Sequence, residues 1–346
     1  MGIPDTARLD LHSKWPRGPK NLITDVSGVK VGHVTLKDQD INTGVTVILP
    51  HPGNIFRDKV MAAACVINGF GKSIGILQIQ ELGTIETPIV LTNTMSIGTA
   101  YTGLCRYMLE QNPEIGVSTG TVNCLITECN DGRLNDIRGF HIEESHVLQA
   151  IACADEWFEE GAVGGGTGMC CLGLKGGIGS ASRKITADGQ TYTLGAAVMS
   201  NFGAAGNLVI GGTHYGAVPG PVSCGFDKDR GSIIVVIATD LPLSERQLGR
   251  VAKRATVALG RTGSYCGNGS GDIAIAFTTA NRVPHYSEHS ILNYRMFYDE
   301  ELDRVFEACV EAVEESIISS LYHARTTTGI RGETVLGLRD FLVGTV

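Results

Sequence analysis

A layered α/β fold in a single domain is the class this chain predicts, and three observations predict it. Short apolar runs bounded by glycine recur through the first two thirds, as buried strands do. Apolar spacing of three and four marks a few longer stretches, so helices are available to cover the sheets. No Pro/Ser-rich linker, composition break or internal repeat divides the 346 residues.

Taken in order, the strand-like runs are "GVKVGHV", "TGVTVILP", "GTVNCLITE", "LGAAVMSNFG" and "LVIGG". Helical spacing appears at 94–111 and 144–160. Next, "DKDRGSIIVVIATD" (227–240) places a solvated charged run before six buried-strand residues, Ile233 to Ala238. Ser244 and Gln247 then form a capping box, followed by Leu248, Val251, Ala252 and Ala255 on one helix face. "GDIAIAFTT" reads as a further strand. The last element is an amphipathic helix around 300–323, with Leu302, Val305, Phe306, Cys309, Val310, Val313, Ile317, Ile318 and Leu321 on one stripe.

Composition narrows the function classes. Hydrophobic residues make up 43% and charged residues 18%, too apolar for a disordered chain. The 45 glycines imply tight turns and close backbone approaches. A formal net charge of −8, with Lys and Arg scattered, argues against nucleic acid as partner. No stretch reaches the roughly 18 apolar residues of a membrane span, and the N-terminus lacks a signal-like apolar segment. The ten cysteines include no CxxC, and no His pair lies at metal spacing, so neither metal nor cofactor is expected. A cytoplasmic, reducing location is the expectation.

Several motifs fail on spacing. "GFGKSIG" (69–75) has Val66 where a phosphate loop needs glycine, and "GLKGGIG" (173–179) lacks GxGxxG. "AVGGGTGMCC" reads as a flexible glycine turn. No GxSxG elbow supports a Ser-His-Asp triad. A serine nucleophile without a histidine base can use its own α-amine if it becomes the first residue of a chain. An α-amine has a pKa of about 7.7–8.0, near enough to neutrality to accept a proton. Such a serine needs a small residue before it and a strand after it to hold it at the edge of a rigid sheet. Gly231-Ser232-Ile233 meets both needs.

With that pair in view, the chain resembles the L-aminopeptidase/D-amidase/D-esterase and β-peptidyl aminopeptidase family of self-processing hydrolases. The resemblance runs from "NLITDVSGVKVGH" (21–33) to "TTTGIRGETVLGL" (326–338). Between them lie "GVTVILPHPGNIF", "ELGTIETPIVLTNTMSIG", "ECNDGRLNDI", "VGGGTGMCCLGLKGGIGSASR", "SNFG", "GSIIVVIATDLPL" and "RTGSYCGNGSGDIAIAF". It implies a four-layer αββα sandwich of the N-terminal-nucleophile-hydrolase type, without a metal. It also implies cleavage at Gly231-Ser232 into an α chain, 1–231, and a β chain, 232–346, and assembly as a tetramer of processed heterodimers.

Site roles follow from the same resemblance. Ser232 is nucleophile and base, and Asn201 supplies the oxyanion hole. Ser270 bonds near the nucleophile's amine, and Asp272 stands where family members often carry a glutamate that orients this network. Glu128 matches the acid that holds a substrate ammonium; Asn130 and Arg133 occupy the region where some members have tyrosine. Without the resemblance, Asn201 reads as a turn cap, Ser270 and Asp272 as members of a glycine-rich hairpin-like loop, and Glu128 to Gly132 as a strand exit. The function implied is hydrolysis of the N-terminal residue of small peptides, amides or esters, with L-, D- and β-aminoacyl substrates all open. The alternatives are an unprocessed binding protein of the same fold and an acyltransferase, which would normally place threonine at 232.

Overall fold

The computed structural model describes residues 11, 13–216 and 228–344; Cys224 and Asp227 lie outside the described residues. Two sheets face each other at its centre. The smaller has four strands in the order β1 (Lys30–Asp38), β2 (Ile41–Leu49), β5 (Ile89–Asn93) and β6 (Leu125–Cys129). The larger has six, in the order β4 (Thr84–Ile85), β3 (Asp58–Gly69), β14 (Gly269–Pro284), β13 (Arg230–Thr239), β10 (Gln190–Asn201) and β9 (Gly177–Ala187). Short hairpins β7–β8 (Cys170–Cys171, Leu174–Lys175), β11–β12 (Val209–Ile210, Thr213–His214) and β15–β16 (Thr327–Thr328, Thr334–Val335) decorate this frame.

Helices close both outer faces. α2 (Ile97–Gln111) and α3 (Glu144–Ala152) cover the smaller sheet, while α4 (Glu245–Ala252), α5 (Ala255–Thr262) and α6 (Leu302–His323) cover the larger. α1 (Ile76–Leu82) and α7 (Leu338–Gly344) flank the layers. The expected αββα sandwich is therefore the observed one. β13 explains why two sheets stack: its residues are buried on both sides, and successive side chains point to opposite faces. Ile234, Val236 and Ala238 join the core with Val45, Val47 and Leu91 of the smaller sheet. Ile233, Val235 and Ile237 pack instead with Leu248, Val251, Val305 and Ile317 of the helices.

Sequence periodicity overran several boundaries. The helix expected over 144–160 stops at Ala152, because Asp155 pairs with Val31 through two backbone hydrogen bonds of 3.0 Å and draws the chain onto β1. The helix capped by Ser244 breaks at Lys253 and Arg254, so Ala255 lies on a separate helix although it is still buried. "GTVNCLITE" yields a strand only from Leu125. Residues 164–171, expected to be a flexible turn, are wholly buried. Buried Lys175 fixes them by donating to the carbonyls of Gly166, Met169 and Gly176 at 3.1, 2.7 and 2.7 Å. Asp229 of the charged run is buried rather than solvated, accepting from Gly203 N, Ser264 Oγ and Tyr265 N.

α6 is more deeply enclosed than an amphipathic stripe suggests. Its acids Glu311, Glu314 and Glu315 face protein, and Arg183 of β9 bridges Glu311 at 3.0 Å and Glu315 at 2.7 Å, all three buried. Ser13 Oγ and the amides of Lys14 and Trp15 also donate to Glu311, and Arg17 pairs with Glu315, tying the N-terminal segment to the same helix. Removing one partner of such a cluster leaves unpaired charge in a low-dielectric interior. Arg183→Ala should lower unfolding free energy by about 3–5 kcal/mol, read from urea denaturation in the single-chain Ser232→Ala background. A loss within error of zero would show that the carboxylates are paired well enough without it.

Candidate active site

The strand ends converge on one pocket. β5 and β6 run parallel and finish at Asn93 and Cys129; β10 finishes at Asn201, while β13 and β14 begin at Arg230 and Gly269. At this end the gap between the two sheets opens into a cavity of about 400 Å³. Its lining includes Thr94, Glu128, Asn130, Arg133, Asn201, Gly231, Ser232, Arg331 and Glu333. No histidine is among them.

Ser232 sits on an interior strand, not at the sheet edge expected from the sequence. β13 pairs antiparallel with β10, placing Ser232 opposite Asn201, and parallel with β14, placing it opposite Gly271. Ser232 Oγ donates to the carbonyl oxygen of Gly231 at 2.6 Å. The hydroxyl thus lies beside the carbonyl group of the bond that precedes it. Gly231 has φ of +112°, and a Cβ there would come within 1.9 Å of Asn201 O. Only glycine fits that space and that backbone conformation. A Cβ at Gly271 would likewise crowd Ser232 Oγ at 3.0 Å and Phe70 O at 2.5 Å.

Asn201 is held at both ends of its amide. Oδ1 accepts from Cys170 N at 2.9 Å, and Nδ2 donates to Asn130 O at 3.0 Å. An amide nitrogen carries two protons, so one is left for the pocket. Lys175 stands behind this arrangement, because the segment it pins contains Cys170; burial pushes the Lys175 ammonium pKa down to about 8. Glu128 is buried on the opposite wall. Its Oε1 accepts from Lys72 N at 2.9 Å and its Oε2 from Thr94 Oγ1. Asn130 reaches the pocket from the turn after β6, where its own Oδ1 accepts from Gly132 N.

Ser270 and Asp272 belong to a different environment. They lie in strand β14, not in a hairpin-like loop, and neither lines the cavity. The next residues of like parity, Ala274 and Ala276, join the helix-side core, whereas Ser232 shares the inner face with Ile234. Ser270 Oγ donates to Asp272 Oδ1 at 2.6 Å. Burial, followed by the nearby Asp229 charge, raises the Asp272 pKa to about 6, although the Ser270 bond opposes the rise. These two residues therefore underlie the backbone of Gly231 and Ser232 from the far side of the sheet.

The residues that the sequence did not single out are Thr94, Lys72, Lys175, Arg331 and Glu333. Lys175 and Arg331 were visible as lone cations inside glycine-rich blocks, "GLKGG" and "GIRGE", whose glycines drew attention first.

Comparison with known proteins gives the family and the fold. Residues 21–335 match the model of peptidase family S58, and the chain belongs to that family. It is a hydrolase on the N-terminal-nucleophile hydrolase fold. The β-peptidyl aminopeptidase BapA of Sphingosinicella microcystinivorans is 36% identical over 342 residues, covering 92% of this chain and 85% of that one. The crystal structure of the PH0078 protein from Pyrococcus horikoshii OT3 superposes with a TM-score of 0.89 at 52% identity, covering 96% and 94% of the two chains. The L-aminopeptidase D-Ala-esterase/amidase of Ochrobactrum anthropi, described as a prototype of the serine aminopeptidases and a variant of the Ntn hydrolase fold, gives 0.89 at 37% identity over 98% of both chains.

Asp272 provides a pH test of the buried network. Folded Asp272 keeps its proton up to about pH 6, whereas an unfolded aspartate releases it near pH 3.9. This contribution to stability is present at low pH and is lost as pH rises from about 4 to 6, because the folded state then binds more protons than the unfolded one. Asp272→Asn should show a smaller loss of stability over that interval, the difference approaching about 3 kcal/mol. Urea titrations in the single-chain Ser232→Ala background at pH 4, 5 and 6.5 read it directly, and parallel pH slopes would mean Asp272 ionises normally.

Proposed function

We propose that this protein is a self-processing aminopeptidase whose nucleophile is Ser232. The observation that carries the reading is the placement of Ser232 Oγ 2.6 Å from the Gly231 carbonyl oxygen, opposite Asn201, in a pocket that Glu128 also lines. In processing, Oγ attacks the Gly231 carbonyl carbon, and the C–N bond to Ser232 breaks as an ester forms. Water then cleaves the ester, leaving a carboxylate on Gly231 and an amine on Ser232. Glycine at 231 lets the chain take its positive φ and pass close to Asn201 O, which keeps the Gly231 carbonyl beside the Ser232 hydroxyl.

In the processed enzyme the α-amine of Ser232 takes the hydroxyl proton as Oγ attacks a substrate carbonyl, then delivers it to the leaving group. The free Nδ2 proton of Asn201 stabilises the developing oxyanion. Glu128, already oriented by Lys72 N and Thr94, pairs with the substrate ammonium, so that chains with a free N-terminus are selected. Asn130 borders this subsite. Ser270 and Asp272 position the amine from beneath. β-Aminoacyl peptides and short L- or D-aminoacyl amides and esters are the substrate classes suggested by the names of the relatives.

We further propose a cytoplasmic homo-oligomer, a tetramer of αβ heterodimers. Support for association comes from the segment 286–298, where Tyr286, Ile291, Met296 and Tyr298 are all more than half exposed. Support for the compartment comes from the nine described cysteines, none of them in a disulfide. No helix among the described residues is long and apolar enough to cross a membrane.

N-terminal sequencing of purified protein should find a fragment beginning Ser-Ile-Ile-Val. Ser232→Ala should remain one chain of 36.7 kDa without hydrolytic activity; normal processing in that variant would locate the scissile bond elsewhere. A wild-type chain that stays intact and inactive would favour the binding-protein alternative. Asn201→Ala, assayed after processing is confirmed, should lose about 10²–10³ in kcat; an unchanged kcat with altered KM would move Asn201 to ground-state binding.

A further inference from the structure

The pocket carries a charge opposite to that of the molecule around it. The chain has a formal net charge of −8, yet four cations line the cavity, Lys72, Arg133, Arg230 and Arg331, against two carboxylates, Glu128 and Glu333. Arg133 is paired with Glu333. Glu128 faces the proposed ammonium subsite. Processing adds one carboxylate and one amine and leaves the balance unaltered. A substrate that satisfied only Glu128 would therefore leave a positively charged cavity without its complement.

Arg331 is an exposed cation carried on a constrained backbone. It lies in the turn Gly329–Gly332 between β15 and β16, and it adopts φ of +63°, a conformation that favours glycine over arginine. The turn cannot drift from the pocket. Ile330 N donates to Leu134 O at 3.0 Å, and a Cβ on Gly329 would meet Leu134 O at 2.3 Å. Glu333, two residues further on, is held by Arg133. Among the described residues Arg331 has no ion pair, so a docked hairpin presents an uncompensated guanidinium to the cavity. A planar fork of donors suits a carboxylate.

We infer that Arg331 is a specificity-determining residue that reads a carboxylate on the leaving group, making short peptides with a free C-terminus or an acidic residue after the scissile bond the preferred substrates over neutral amides and esters. This rests on the aminopeptidase reading of the same site. The acyl residue is accounted for by Glu128 and Ser232, so the carboxylate belongs beyond the bond that breaks. Substrate is thus recognised as a zwitterion, by its amine at Glu128 and its carboxylate at Arg331.

The test compares three substrates on processed enzyme: Ala-Gly with a free carboxylate, Ala-Gly amide and Ala-Asp amide. Ala-Gly should exceed its amide by about fivefold in kcat/KM at low salt, the scale of a partly exposed ion pair, and the ratio should fall toward one near 0.5 M NaCl. Recovery of rate with Ala-Asp amide would assign the side-chain carboxylate as an equivalent source. Arg331→Gln should lower kcat/KM about fivefold more for Ala-Gly than for its amide, and Arg331→Lys should regain part of the difference. Hydrolysis of Ala-Gly and its amide at equal rates, with no salt effect on the ratio, overturns this inference and leaves the aminopeptidase reading intact. Failure to hydrolyse any of the three overturns both. If Arg331→Gln does not fold, the salt dependence of the wild-type ratio decides alone.

Discussion

The register of β13 between β10 and β14 is the constraint on which the site depends. Strand side chains alternate with a period of two, so a slip of one residue would send Ser232 into the helix-side core and bring Ile233 to the pocket. The alternation that buries Ile234, Val236 and Ala238 between the sheets also turns Ser232 toward the gap where they part. Burial of six apolar residues on both faces fixes that register far more strongly than any contact of the serine itself. The same pairing forces glycine at 231 and 271, since neighbouring backbones occupy the space of a Cβ at each position.

Around this strand, buried polar groups hold segments that hydrophobic packing alone would leave free to slide. Lys175 gathers three carbonyls of a glycine-rich segment, and that segment delivers Cys170 N to Asn201. Asp229 gathers three donors from two loops and fixes the approach to Gly231. Each pays a desolvation penalty that its hydrogen bonds offset. Such groups define geometry more than they add stability. The pocket consequently consists of side chains whose backbones are pinned from outside it, which suits chemistry that tolerates little displacement.

Much of this was legible in the sequence, for identifiable reasons. The apolar run after Ser232 could only be a doubly buried strand, and the Ser244–Gln247 capping box begins α4 as read. Gly231 stood out only as a small residue before the serine; its φ of +112° adds a backbone reason the sequence did not show. What escaped was non-local. The end of α3 is set by pairing between Asp155 and Val31, residues 124 positions apart, which no local periodicity carries. Glycine suggested mobility at 164–168, whereas those glycines permit close approach to buried backbone, as at Gly166 against Gly177. Ser270 and Asp272 were read as loop residues because glycines flank them, but a parallel partner strand keeps them extended. Arg331 could not be placed in the pocket without knowing where its hairpin docks.

The strand order of the larger sheet has a consequence for how such a molecule lives and dies. β13 and β14 lie between β3 and β10, so the segment from Ser232 onward supplies the middle of a sheet whose flanks come from the preceding segment. An intact chain can form that interleaved sheet unimolecularly. A chain opened at residue 231 could not repeat the process without a bimolecular encounter between two halves, each exposing unpaired strand edges. Its recovery from heat would then depend on concentration, and its endurance on the rate of unfolding rather than on an equilibrium. Cutting the bond would turn a reversible fold into a one-way assembly.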